Sequence, residues 1–406
     1  MSSPRVTPIH IRSLSHAARL LVDLGVQQDG VGIMAPKAVF RAFRISGLDV
    51  RAANILKQVA LSKGGECAAP RTVVTTVEGT ATVILTATRA QLDAICENLA
   101  RQPFGLRDVR EQVGALLQLE DAGSAAWKMA GRELDLSRTL VMGVLNVTPD
   151  SFSNPGEHAD PQLAVEAARA MEADGADIID VGGESTRPGA QPVDVEQELS
   201  RVMPVIERLA NEISIPISID TRKAGVARRA VEAGAAIVND VTAFADEAMV
   251  ELAASTDIGC VLMHMLGEPG TMQDGPVYDD VMGEIGAYLQ ERAQRLMTAG
   301  VARERIVVDP GIGFGKTLAH NLEIFDRLGE LAGLGYPMLL GPSRKRFIGA
   351  VLGTDVDERI EGTAAAVAYA IVQGAQIVRV HDVRQMARVA RMTDALVKGS
   401  AHEQAD

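Results

Sequence analysis

Arg379 and His381 stand two residues apart in the run Ile377-Val378-Arg379-Val380-His381. As strand residues they face one side, and Val378 and Val380 face the other. A guanidinium in so apolar a run is costly unless it meets an anion or a carboxylate. The helix expected to start near Asp382 adds unpaired N–H groups at the same end. Together these predict an anion site, with phosphate as the best fit. An Arg379–Asp ion pair that closes a barrel between its last and first strands fits the same residues. Both readings stay open at this point.

Two acids, Asp220 and Asp309, follow the short apolar runs Ile215–Ile219 and Ile306–Val308, and Asn239 follows Ala236–Val238. A carboxylate accepts two parallel N–H bonds, so this trio suits a ring with an amidine-like edge. Helix capping is the plainer role, above all at Asp220, where Thr221 is a second cap candidate. Gly311, Gly313 and Gly315 after Asp309 imply a tight turn or a close approach by a ligand. Lys345, in Ser343-Arg344-Lys345-Arg346, puts positive charge at an expected helix start, against the helix dipole. That implies an anion nearby, or ordinary solvated cations. Asn146 ends Val141–Leu145; its carbonyl oxygen is a candidate Mg²⁺ ligand, and a loop-tethering amide is the plainer role. His264, between Met263 and Met265, is either a second basic group or a core-edge histidine.

Elements that position these residues repeat with a regular rhythm from Ser137 onward. Expected strands lie at 139–145, 177–181, 215–219, 236–238, 259–263, 306–308, 337–340 and 377–380, each with a polar tip and then a helical stretch. The helix after the seventh strand breaks into pieces near 344–350 and 356–373. Eight such units predict an α/β fold, a closed (β/α)8 TIM barrel with its chemistry at the carboxyl ends of the strands. An open doubly wound sheet is disfavoured, because no glycine fingerprint with its acidic partner follows the first strand.

Residues 1–136 read as a separate, smaller α/β or α+β domain plus linker, 137–398 as the barrel and 399–406 as a tail. Helical spacing is expected over Leu14–Leu24, Asp49–Leu61, Gln91–Leu99 and Leu106–Leu119, and strand character over Val39–Ile45, Arg71–Val77 and Thr80–Thr86. The Gly/Ser/charge mixture of Glu120–Asp135 reads as the linker, partly ordered around Trp127, which itself reads as a core or interface residue. Net charge is −13, which disfavours nucleic acid as a partner. Three cysteines make no disulfide framework, and neither a signal core nor a membrane-length apolar run is visible. A cytoplasmic protein without a membrane partner is expected.

Motifs at the strand tips resemble those of the dihydropteroate synthase family of folate biosynthesis. They are Gly143-Val144-Leu145-Asn146-Val147-Thr148-Pro149-Asp150-Ser151-Phe152, Asp180-Val181-Gly182-Gly183-Glu184-Ser185-Thr186-Arg187-Pro188-Gly189, Ile219-Asp220-Thr221, Asn239-Asp240, Asp309-Pro310-Gly311-Ile312-Gly313-Phe314-Gly315-Lys316, Ser343-Arg344-Lys345 and Arg379-Val380-His381-Asp382, in the family's order over roughly 137–398. The resemblance implies a homodimeric barrel that condenses 6-hydroxymethyl-7,8-dihydropterin diphosphate with 4-aminobenzoate. Asp220, Asn239, Asp309 and Lys345 would hold the pterin. Asn146 would ligate Mg²⁺, and Arg187, Arg379 and His381 would hold the diphosphate. Phe152, Thr186, Pro188, Phe314, Ser343 and Lys345 would shape the aminobenzoate pocket. Loops carrying Asp150 and Arg187 would close over the substrates.

The chain departs from the family's pattern after Ser153, where Asn154-Pro155-Gly156-Glu157-His158 replaces the usual Asp-Gly-Gly. The first 136 residues are also extra to the common single-domain enzyme, and contain no phosphate loop. Two rival readings are a pterin-binding methyltransferase and a non-catalytic pterin-binding scaffold. The first has little use for Ser343-Arg344-Lys345 or a diphosphate site. The second would be signalled by loss of Asn146, Lys345 or Arg379, and all three are present.

Overall fold

The computed structural model describes residues 6–9, 11, 13–122, 126–148, 161–185, 192–268 and 270–398. It divides into two compact units, Met1–Ala122 and Gly123–Asp406.

In the first unit, helices Leu14–Asp23 and Gln28–Ala38 precede strand β1 (Phe40–Asp49). Helix Val50–Ser62, β2 (Glu66–Ala68), a helical turn at Thr72–Thr75, β3 (Thr80–Thr88) and helices Arg89–Leu99 and Leu106–Ala122 follow. Ser13, Asp49 and Thr88 cap their helices by accepting first-turn N–H groups. The sheet has the order β1-β3-β2, with antiparallel pairs. Leu56, Leu85, Leu92 and Ile95 lie in its core. The Val/Thr content of Arg71–Val77 predicts a strand, but Thr72–Thr75 is helical. Val73 is buried there, and Asn54 Nδ2 donates to its carbonyl at 2.8 Å. β3 pairs with β1 and β2, not with the Arg71–Val77 segment just before it. Pro36, which reads as a stop, lies inside a helix.

The second unit starts with a hairpin, β4 (Ala126–Met129) and β5 (Arg132–Asp135). Then come β6 (Leu140–Asn146), β7 (Ile178–Gly182), β8 (Ile217–Asp220), β9 (Ile237–Asp240), β10 (Gly259–Met263), β11 (Ile306–Asp309), β12 (Leu339–Leu340) and β13 (Ile377–Val380). These eight pair in parallel from β6 to β11, and β13 bridges β6 and β12. A parallel bridge between Val308 and Met338 joins β11 to the β12 side, with Val308 N–H donating to Pro337 O at 2.9 Å. The ring is a closed (β/α)8 barrel. The seventh helical crossover is split into Arg346–Leu352 and Ile360–Val372, as its sequence predicts.

Strand alternation sorts the side chains into two sets. Ile179, Val181, Ile219 and Val238 join the core between strands and helices, while Ile178, Ile237, Val307, Leu339 and Ile377 fill the interior at the amino-terminal end. Asp180, Asp220, Asn239, Asp309 and Arg379 stand one inward position further along their strands. The barrel floor is therefore apolar and the storey above it polar.

The hairpin gives the order expected around Trp127 within Glu120–Asp135, but Ala126–Asp135 is part of the second unit rather than a linker. Trp127, fully buried, packs with that apolar floor, and its Nε1–H donates to Arg305 O at 3.0 Å. A Cβ on Gly259 would lie 3.0 Å from the indole. Ala130 and Gly131 both have positive φ, as a tight hairpin turn requires, and their polar, glycine-containing surroundings mimic a loop in sequence. Trp127→Ala should lower stability by about 3–5 kcal/mol, measured by denaturant unfolding. A loss below 1 kcal/mol would show that the plug is dispensable.

Candidate active site

The carboxyl ends of the barrel strands bring together the acids and bases that the sequence singles out. Arg379 comes from β13, with its side chain 22% exposed. Its Nε donates to Asp180 Oδ2 and its Nη2 to Asp220 Oδ2, each at 2.6 Å. The ion-pair reading of Arg379 is thus realised, but with strands β7 and β8 rather than with the first strand of the barrel. Its Nη1 has no hydrogen-bond partner among the described residues. Burial opposes the charge on Arg379, yet Asp180 and Asp220 outweigh it and hold the guanidinium protonated beyond its ordinary range. Burial raises the Asp220 pKa, Arg379 pulls it back and nearby Asp180 adds to the rise.

Asn239 is buried at the end of β9, and its Nδ2 donates to Asp180 Oδ2 at 3.1 Å. Its neighbour Asp240 has a different task. Asp240 accepts Thr242 N–H and Oγ1–H at 2.7 Å and Phe244 N–H at 2.9 Å, which fixes the turn through Ala243 and Phe244 at positive φ.

Asp309 ends β11 and is 5% exposed. Its Oδ1 accepts Gly311 N–H at 2.7 Å, leaving Oδ2 without a partner among the described residues. Burial raises its pKa, opposed by Lys345. Of the glycines that follow, Gly311 and Gly315 serve backbone contact with the segment after β10, and Gly313 faces the Lys345 side chain. A Cβ on Gly311 would come within 2.0 Å of His264 O, and one on Gly315 within 2.3 Å of Leu266 O, both at positive φ.

Lys345 Nζ donates to Ile312 O and lies 4.7 Å from the centroid of the Phe314 ring. Burial pushes its ammonium down to about 8 against the pull of Asp309. The lysine therefore bends back over the β11 loop and faces the acids. Its neighbour Arg344, at positive φ, forks onto Asp382 at 2.6 and 3.0 Å. Ser343 Oγ accepts His381 N–H at 3.2 Å and lies 3.1 Å from His381 Nδ1, so it orients that ring. Asn146 ends β6 with no partner for its amide among the described residues; a Cβ on Gly182 would sit 3.7 Å from its Oδ1.

His264 is a core-edge residue. Its Nδ1 lies 3.0 Å from Lys316 Nζ, its ring meets Tyr288 edge-on, and burial drives its pKa down to about 3. Sequence reasoning overlooked Lys316, which is 3% exposed and ties the carbonyls of His264 and Phe314 together. It also overlooked Asp180, although an acid inside Ile178-Ile179-Asp180-Val181 is the same costly signal as Arg379. A third omission is Lys223, which bridges Glu184 at 2.8 Å and buried Glu198 at 2.5 Å. Glu184 also accepts Val193 N–H at 3.4 Å, joining the two ends of the β7 loop. Asp150, Phe152, Thr186, Arg187 and Pro188 lie outside the described residues.

The pterin binding enzyme family model matches residues 142–381, more than half the chain. The chain is 46% identical over 273 residues to the dihydropteroate synthase of Escherichia coli K12, covering 67% of this chain and 97% of the relative. It is 43% identical over 395 residues to a probable bifunctional folylpolyglutamate synthase/dihydropteroate synthase of Halobacterium salinarum, covering 97% of this chain and 47% of that protein. That likeness extends into the first unit, and the chain spans about half of the bifunctional relative. A Xanthomonas albilineans dihydropteroate synthase solved with 4-aminobenzoic acid superposes with a TM-score of 0.64 at 44% identity, over 68% of this chain and 98% of that one. With a storey of acids, an amide and cations at the mouth of a (β/α)8 barrel, the chain belongs to the pterin binding enzymes, within the dihydropteroate synthases.

Proposed function

We propose that this mouth joins 4-aminobenzoate to the methylene carbon of 6-hydroxymethyl-7,8-dihydropterin diphosphate, giving 7,8-dihydropteroate and diphosphate. The observation that carries the reading is the convergence of Asp220, Asn239 and Asp309 with Arg379 and Lys345 at one end of one barrel. Asp309 and Asp220 accept from the N–H edge of the pterin, Asn239 adds an amide contact, and Lys345 lies over the same ring. Arg379 presents Nη1 to the diphosphate while its other edge stays on the acids. His381, oriented by Ser343, and Arg187 add further charge there. Phe314 lines the aminobenzoate pocket, to which the family resemblance also assigns Phe152, Thr186 and Pro188.

The carbon–oxygen bond to diphosphate breaks as the carbon–nitrogen bond to the arylamine forms, and the amine then releases a proton to solvent. Positive character at the methylene spreads into the ring, where Asp220 and Asp309 stabilise it. An arylamine needs no strong base, so positioning does the work. Asn146, whose amide has no partner among the described residues, would be the protein group that holds Mg²⁺. Among the described residues no group of three or more His, Cys, Asp or Glu forms a separate metal cage. When bound, the ion would neutralise charge on the leaving diphosphate. Mass spectrometry of the product tests the reaction. A dihydropteroate mass should appear only when both substrates are supplied, and its absence with both would overturn the reading.

The enzyme works as a homodimer in the cytoplasm. No helix among the described residues is long and apolar enough to cross a membrane. An outer groove lined by Leu322, Phe325, Phe347, Val351 and Tyr369 leaves Leu322, Val351 and Tyr369 more than a third exposed, which supports a second copy as its cover. Sedimentation should give a dimer that Val351→Glu with Tyr369→Glu converts to monomer. A monomeric wild type would contradict the assignment.

A further inference from the structure

Asp180 has no task in the chemistry above, yet its placement is costly. It is 0% exposed, on β7, with Ile179 and Val181 on either side. Its Oδ2 receives both Arg379 Nε and Asn239 Nδ2, at 2.6 and 3.1 Å. Its Oδ1 has no partner among the described residues, and neither has Ser218 Oγ, which stands opposite it in register on β8. A half-satisfied buried carboxylate weakens a barrel interior relative to an apolar side chain of the same size. Its use must therefore lie in what it imposes on its neighbours.

The imposition on Asn239 is directional. A carboxylate paired with a guanidinium accepts hydrogen bonds and donates none. Asn239 must then turn its NH2 toward Asp180 and its carbonyl oxygen away. That oxygen has no hydrogen-bond partner among the described residues and is not one of the sealed, unpartnered atoms. We propose that Asp180 is a positioning residue that sets the amide sense of Asn239, so that the mouth offers acceptors at Asn239, Asp220 and Asp309 together and selects a ring whose facing edge carries N–H donors. This rests on the reading of the mouth as a pterin site. An asparagine at 180 lifts the constraint, because it can donate to the Asn239 carbonyl and let the amide turn its NH2 toward a donor edge.

The test is calorimetric binding of 6-hydroxymethylpterin, which lacks phosphate, to the full chain and its D180N, N239A, D180N/N239A and D180N/N239D variants, each checked for folding by circular dichroism. D180N should weaken binding about tenfold or more, as expected for one ring contact turned from attraction to repulsion. Adding D180N to N239A should change affinity less than about twofold, because the group through which Asp180 acts is already gone. D180N/N239D should recover affinity to within about threefold of wild type, since a carboxylate at 239 presents an oxygen whichever way it turns. Wild-type affinity in D180N, or an equal loss from D180N in the N239A background, overturns the proposal. If D180N alone fails to fold, the swap decides: a folded D180N/N239D that does not bind overturns it as well. A wild type that fails to bind the pterin counts against the reading of the mouth; one that binds without coupling counts against Asp180 alone.

Discussion

Arg379→Ala should slow diphosphate release by about 10²–10³-fold, the scale for removing one charge-stabilising donor. It should also destabilise the ligand-free protein. Two carboxylates, the fully buried Asp180 and the half-buried Asp220, share this guanidinium at 2.6 Å. Without it they face each other with Asn239 as the remaining neutral donor to Asp180. Stranding buried charge in this way typically costs about 3–5 kcal/mol; with the Arg379 side chain 22% exposed, the lower end is expected. The rate loss should exceed the loss in affinity for a phosphate-free pterin, because only the reaction draws on Nη1. Equal losses in both, measured by stopped-flow release and calorimetry, would contradict the assignment of Arg379 to the diphosphate. An unchanged unfolding midpoint would contradict its role as a tie between strands.

Asp309→Asn should lower turnover by a similar factor, about 10²–10³. Here the geometry specifies the failure. Gly311 N–H holds Oδ1 at 2.7 Å, so an asparagine keeps its oxygen there and turns its NH2 toward the ring. Donor then meets donor. The same carboxylate makes pH a second readout. Burial raises its folded pKa above the ordinary carboxylate value. Between those two values the folded protein binds more protons than the unfolded chain, so this group's contribution to stability falls as pH rises through the window. Affinity for the pterin edge needs the ionised form and moves the other way, rising across that window. Asp309→Asn should weaken both trends, leaving only the share carried by Asp220. A pterin affinity that stays level on acidification in the wild type would show that Asp309 is not the acceptor.

The barrel was legible because its strands are short apolar runs with expensive polar residues at their tips. A strand tip forces the question of what pays for each charge. The same logic applies to Asp180, but its position inside a strand, within a longer motif, hid it. Arg379 gave two readings, and the structure makes the ion pair while leaving one amino group of the guanidinium without a partner among the described residues. The glycines after Asp309 were ambiguous because a close neighbour can be a ligand or another backbone; here it is the carbonyls of His264 and Leu266. In the first unit the strand order was illegible, since β1 and β3 pair across an intervening helix and strand, and local alternation carries no information about distant partners. Order around Trp127 and its place in a core were legible, but the hairpin was not, because its turn is built from residues that also build loops.

The most direct test counts molecules at the mouth: diphosphate released and 4-aminobenzoate consumed by the purified protein with the pterin diphosphate and Mg²⁺. One diphosphate should appear for each arylamine consumed, with product accumulating only when the arylamine is present. Diphosphate release without any incorporation of the arylamine, or no turnover at all with both substrates and the metal, would contradict the account.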